Sequence, residues 1–325
     1  FYTNNNYYKD FFIKDLNFLD FTINSLDIFH IIIILYAVLL IPFYLIENDK
    51  SKARNAINFF IKKIKNKETK ISKEEKNSIL AWIVKLFFLP MMILWLSWNI
   101  WYVINKVYWW YNEIDLIWSN FLFYFNTYLF AWILTFIFII DLLFFTLWYM
   151  LESKYLWNKI KSVEPTILWW VVALICYPPF NISLEKILWW YSSDFPTFEN
   201  INIHIILNTI LLISFWIYSR ASISLWLKAS NLTNRWIITR WPYKYVRHPA
   251  YASKNLSRLI WALPIIIFNI NNLNIKTLIL ITISLSLRFT IYYLRAITEE
   301  KHLSSDNDYI EYKKKVKYKF IPKIY

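Results

Sequence analysis

The 325-residue chain contains no glycine. At an average usage of about 7%, roughly 23 would be expected. Glycine takes positive φ without steric cost, so every tight turn here must be made by another residue. A single cysteine, Cys176, excludes an internal disulfide and a cysteine metal cluster. Histidine is also scarce. His30, His204, His248 and His302 are scattered, with none of the close spacings that hold zinc, so no metal is expected. Disordered, collagen-like and disulfide-scaffold classes are excluded by an apolar fraction of 58%.

What fills the space is aromatic: 19 tryptophans, 24 tyrosines and 26 phenylalanines, or 21% of the chain. Tryptophan, normally rare, nearly fills the missing glycine quota. The chain is also rich in Ile, Asn, Lys, Phe and Tyr, residues of A/T-rich codons. One stop codon, UGA, is read as tryptophan in some genetic codes and as glycine in others. Two readings follow: many of these tryptophans stand for glycines, or the chain is a tryptophan-rich membrane protein. The mass of a tryptic peptide covering Trp241, taken from the native source, separates them.

Apolar runs near 28–46, 80–104, 118–150, 166–184, 203–227, 251–270 and 277–295 approach or exceed the ~20 residues that cross a bilayer as helix. The fourth is interrupted by Pro178 and Pro179, which cannot continue a helical ladder. The expected fold is therefore all-α and polytopic, with about seven transmembrane helices. Of the 36 Lys and Arg, 26 fall in the alternate segments 47–79, 152–165, 228–250 and 295–325. Cytoplasmic loops carry this excess, which predicts an N-terminus outside and a C-terminus inside. The net charge of +14 then faces lipid headgroups rather than nucleic acid. The organisation expected is an extracytoplasmic segment 1–27, helices one to five over 28–227 with a basic loop at 47–79, and a C-terminal region 228–325. Residues 1–27 do not read as a cleavable signal. Lys85 is expected to snorkel to the headgroups, and Cys176 to pack as a small apolar residue.

Glycine motifs remain absent even when tryptophan is read as glycine. Trp236 and Trp241 have phosphate-loop spacing, but Pro242 stands where lysine is needed, and no dinucleotide fingerprint appears. Chemistry concentrates instead near the C-terminus. Pro249 suits a first helical turn. Tyr251, Asn255 and Arg258 follow at i, i+4 and i+7, one helical face. Arg288, Tyr292, Arg295 and Glu299 form a matching face on the last apolar run. The short link 271–276 predicts an antiparallel hairpin, so the two faces are expected to meet in one pocket. Asp141, deep in the third run, needs a partner, and Arg288 is the candidate at similar depth.

Three signals in order carry a resemblance: Trp241, Pro242, Tyr243, Tyr245, Arg247, His248, Pro249 and Tyr251; then Glu299, Glu300 and Leu303; then Tyr309, Tyr312 and Pro322. They resemble the isoprenylcysteine carboxyl methyltransferase and phospholipid methyltransferase group, whose pattern runs G-P-Y-x-Y-x-R-H-P-x-Y, E-E-x-x-L and a tyrosine-rich tail ending near proline. The resemblance spans about residues 225–325. It implies an integral membrane methyltransferase that uses S-adenosylmethionine on a lipophilic acceptor, with the hairpin and a helical cytoplasmic tail forming the cofactor pocket. By resemblance, cofactor-binding residues are Tyr243, Tyr245, Arg247, His248, Pro249, Tyr251, Asn255, Arg295, Glu299 and Glu300. Glu299 would accept from the ribose diol, and Arg247 or Arg295 would hold the methionine carboxylate. Arg247, His248, Tyr251 and Arg288 would be catalytic, with Arg288 turned to an acceptor carboxylate. The sequence departs from the pattern at Trp241, where glycine is usual, and Trp226, Trp236 and Trp261 stand where small residues are expected. Ser253 departs more mildly, at a position where the group often has glycine. A sterol-type reductase using a nicotinamide cofactor and a transporter or structural membrane protein are the competing classes. Pro249 and Ala250 before Tyr251 favour the methyltransferase over the reductase.

Overall fold

The computed structural model describes residues 15–18, 21–47, 52–66, 70–112, 114–153, 155–182, 200–228 and 231–324. It is 76% helical and 2% strand, which bears out the all-α expectation. The strands are short. β1 (Asp15–Phe18) pairs antiparallel with β2 (Phe21–Asn24), and nothing in the polar sequence of residues 1–27 announces that hairpin.

Among the described residues, four helices are long and apolar enough to cross a membrane. They are α3 (Lys73–Asn112), α5 (Phe121–Met150), α7 (Ile201–Leu225) and α9 (Ile275–Leu303). Three of the seven expected spans are not among these four. α1 (Ser25–Glu47) carries the first apolar run and contains Pro42. α8 (Pro249–Asn271) has the length, but Lys254, Arg258 and its Ser and Asn residues make it less apolar. Within the run 166–184 the described residues form α6 (Ile167–Leu174), eight residues or about 12 Å, then turns around Pro178 and Pro179, then helical residues at 180–182. The remaining helices are α2 (Lys52–Lys65), the single turn α4 (Leu116–Ser119) and α10 (Asn307–Lys315).

The chain divides into two compact units. The first contains the described residues up to Trp98, Leu142–Thr166 and Trp226–Trp236. Its core holds Val84, Phe88 and Met91 of α3 with Trp148 and Tyr149. The Phe88 and Tyr149 rings stack at 5.4 Å. Here β3 (Ser162–Val163) pairs with β4 (Thr233–Asn234). Lys85 does not snorkel. It meets Glu152 at 2.8 Å, and Lys52 pairs with the same carboxylate. Burial works against ionising Glu152, but the two lysines prevail and hold its pKa at about 2. Arg235, 2% exposed, donates to the carbonyls of Asn158 and Trp148.

The second unit contains Asn99–Asp141, Ile167–Leu225 and Ile237 onward. Phe130, Leu134 and Ile137 of α5, Leu211, Phe215 and Tyr218 of α7, and Ile260 and Trp261 of α8 form its main core. The expected α8–α9 hairpin is present, packed through Ala262, Ile281 and Leu285. Asn274 caps α9 by accepting from the Thr277 N–H. Asp141 finds its partner in Tyr218, whose hydroxyl donates at 2.7 Å, with Lys254 supplying positive charge nearby. Arg288 instead lines a cavity with Arg258.

The missing glycine leaves a mark on the backbone. Trp157 (φ 53°), Trp226 (φ 51°), Leu232, Leu273 and Lys323 all take positive φ among the described residues. For bulky side chains this left-handed region costs about 1–2 kcal/mol each. Trp226 is one of the four positions where a small residue was expected. Trp241, Trp236 and Trp261 have no positive φ, so a tight turn does not demand glycine at 241.

Candidate functional site

The region between α7 and α8 turns the chain into α8 at Pro249, the first helical residue, after His248. Pro249 needs no N–H partner there. The segment just before it is pinned by the tail that follows α10. The Arg247 N–H donates to the Tyr318 carbonyl and the His248 N–H to the Lys319 carbonyl, both at 2.9 Å. This backbone clamp brings two stretches about 70 residues apart into one structure.

Buried charges then converge. Arg247 Nε donates to Glu300 Oε1 at 2.8 Å, and its Nη1 donates to the carbonyls of Val316 and Lys317. Both side chains are about 6% exposed. His248 Nε2 lies 3.1 Å from the same Glu300 oxygen. An ionised carboxylate only accepts, so Nε2 carries the proton. Lys313 approaches the other Glu300 oxygen at 3.5 Å. Glu300 is thus saturated by its own protein.

Glu299 differs. Its Oε2 accepts from the Tyr251 hydroxyl at 2.8 Å and lies 3.8 Å from His248 Nδ1. Its side chain is 30% exposed. Aromatic rings surround this end. His248 stacks on Tyr251 at 5.4 Å and 3°, and Tyr292 packs on Tyr251. The Arg295 guanidinium sits 5.1 Å from the Tyr251 ring, 5.6 Å from Tyr292 and 5.9 Å from Tyr177. The two predicted helical faces therefore do meet, through Tyr251, Tyr292, Arg295 and Glu299.

Other predicted residues fall elsewhere. Tyr243 faces the tail, where its carbonyl accepts from the Tyr312 hydroxyl at 2.7 Å and Tyr309 and Tyr312 pack around it. Burial, then Glu299, pushes the Tyr243 hydroxyl far above the ordinary phenol range, so it stays protonated. Tyr245, Pro249 and Asn255 line a cavity of about 890 Å³ with Trp241, Phe289, Tyr293 and Phe320. No charged side chain lines it. The Trp241 ring packs against Trp216. Asn255, one turn after Tyr251, thus borders the apolar space. Arg288 lies two turns deeper than Arg295 and lines a separate cavity of about 60 Å³ with Arg258, Cys176, Asn181 and Tyr292. Cys176 also donates to the Val172 carbonyl, a packing role as expected.

Sequence reasoning missed the backbone clamp at 316–319, Lys313 and Tyr177. Backbone carbonyls leave no trace in side-chain patterns. Lys313 lies in a lysine run that reads only as charge. No family model, no curated protein and no solved structure matches this chain.

Proposed function

We propose that the chain is an integral membrane S-adenosylmethionine-dependent methyltransferase acting on a lipophilic acceptor. One observation carries this reading. The three stretches that resemble the methyltransferase group are far apart in sequence, yet they share one buried network, which borders an uncharged cavity through Pro249 and Phe320. The cavity volume lies within the range of ligand sites, about 300–1,000 Å³.

The residues fit the cofactor in part. S-adenosylmethionine, when bound, supplies a methyl group on a sulfonium sulfur. Tyr251 and Tyr292 offer aromatic faces to such a cation. Glu299 keeps Oε1 for a ribose hydroxyl, since only Oε2 is used by Tyr251. Arg247 does not fit the expected grip on the methionine carboxylate, because its Nε and Nη1 are spent on Glu300 and the tail. Its role is to position the loop, and Arg295 becomes the nearer cation. The large cavity suits the hydrocarbon part of an acceptor. A carboxylate acceptor would form its bond to the methyl carbon as the carbon–sulfur bond breaks, and would need no base. An amine acceptor would release a proton. His248 Nδ1 is the atom that could take one, Nε2 being already protonated.

The charge pattern supports a topology with basic segments 47–79, 152–165, 228–250 and 295–325 on the cytoplasmic side. In that topology α6 and the residues that follow it together make the fourth crossing. Calorimetry of the detergent-solubilised full chain tests the function. S-adenosylhomocysteine should bind with micromolar Kd and NADPH should not. Binding of NADPH alone would replace this reading with the reductase.

A further inference from the structure

α2 has two apolar faces, and only one is used inside the protein. Ala56 and Phe59 are buried, at 1% and 6% exposure. Lys52, at the start of the helix, pairs with Glu152 and donates to the Ile160 carbonyl at 2.8 Å. These contacts fix the rotation of the helix about its axis. The second face then points away from the protein. It carries Ile57, Phe60, Ile61 and Ile64, at 50%, 48%, 46% and 82% exposure.

These four follow at i, i+3, i+4 and i+7, within a sector of about 100° on a helix of 3.6 residues per turn. No polar residue interrupts the stripe. Arg54 and Lys65 border it on one side, and the helix contains no acidic residue. Fourteen residues rise only about 21 Å, too short to cross a bilayer. A short helix with a strong apolar face and a basic border lies in the plane of a membrane surface. Its charge complements anionic headgroups, which draw in basic residues near the surface.

We propose that α2 is an in-plane anchor that inserts Ile57, Phe60, Ile61 and Ile64 into a leaflet containing anionic lipid. Arg54 and Lys65 contact the headgroups at its border. The anchor lies outside the residues proposed for methyl transfer, so it stands or falls separately from that activity.

The test uses the full chain in vesicles of phosphatidylcholine, with and without 30% phosphatidylglycerol. Cys176→Ser removes the native thiol. Nitroxide labels are then placed singly at Ile64→Cys, at Ile57→Cys and, as a reference, at the exposed Asn58→Cys. Power saturation compares oxygen, which concentrates in the bilayer, with a water-soluble nickel chelate. With phosphatidylglycerol present, the oxygen-to-nickel accessibility ratio at 57 and 64 should exceed that at 58 by fivefold or more. Arg54→Gln with Lys65→Gln should lower the ratio towards its value without the anionic lipid. A ratio at 57 and 64 equal to that at 58 overturns the proposal. Protection of both positions from both reagents in detergent also overturns it, since a second copy or another protein would then cover the stripe. Equal ratios in the two kinds of vesicle overturn the anionic preference.

Discussion

Each of the two units buries an ionic cluster, and the clusters are built to opposite plans. Around Glu152, one carboxylate serves Lys52 and Lys85, with Arg235 close enough to add its field. Every oxygen of that carboxylate is engaged, because Oε1 also accepts from the Ile160 N–H. Around Glu299 and Glu300, two adjacent carboxylates divide the work. Glu300 is closed by Arg247, His248 and Lys313, while Glu299 remains partly open among aromatic rings. A saturated cluster can only hold structure. A cluster with one saturated and one open member can hold itself together and still have capacity for a ligand.

Four experiments sharpen or break that contrast. The largest effect is expected from Glu300→Ala, which strands Arg247 in a buried site. Loss of one partner of a buried pair costs about 3–5 kcal/mol, read as a fall in the thermal unfolding midpoint. An unchanged midpoint would show that Glu300 is not the closing member. Second is the pH response of Glu152. Its folded pKa of about 2 lies below the ordinary 4.5, so its contribution is full above pH 4.5 and is lost as pH falls towards 2. At 1.36 kcal/mol per unit, the contribution is about 3 kcal/mol. The stability difference between wild type and Glu152→Gln should shrink by that amount between pH 5 and pH 2. A difference independent of pH would dissolve the cluster as described. Third, Glu299→Gln should weaken S-adenosylhomocysteine binding about tenfold, or 1.4 kcal/mol, with the unfolding midpoint nearly unchanged. A large fall in the midpoint with intact binding would make Glu299 a structural residue like Glu300. The smallest effect is expected at Trp226→Gly, where relief of the left-handed backbone should raise stability by about 1 kcal/mol. A loss of stability there would mean that the contact of Trp226 with Phe144 outweighs the strain.

The helical class, the α8–α9 hairpin and the meeting of Tyr251 with the α9 face were all legible from spacing, because helical periodicity places side chains at fixed angles. The break in the run at 166–184 was legible, because Pro178 and Pro179 cannot continue a helical ladder, but the eight-residue length of the helix before it was not. The partner of Asp141 was misassigned because depth along a helix says nothing about which neighbour packs there, and Tyr218 carries no charge to attract notice. Arg247, with Arg295 as the alternative, was expected to hold a cofactor carboxylate. Its true partners are Glu300 and two backbone carbonyls of the tail, and the latter no side-chain pattern encodes. Of the four tryptophans singled out, only Trp226 occupies a backbone conformation that favours glycine.

The clamp between residues 247–248 and 318–319 has a consequence for how the molecule is made. Synthesis proceeds at about 5–20 residues per second, so roughly 4–14 s separate the emergence of Pro249 from that of Phe320. During that interval Arg247 lacks its tail carbonyls, and at first Glu300 as well. The hairpin can insert in the meantime, but the network closes only when the tail returns to it. The network cannot close before the tail has been synthesised, whenever the hairpin itself forms.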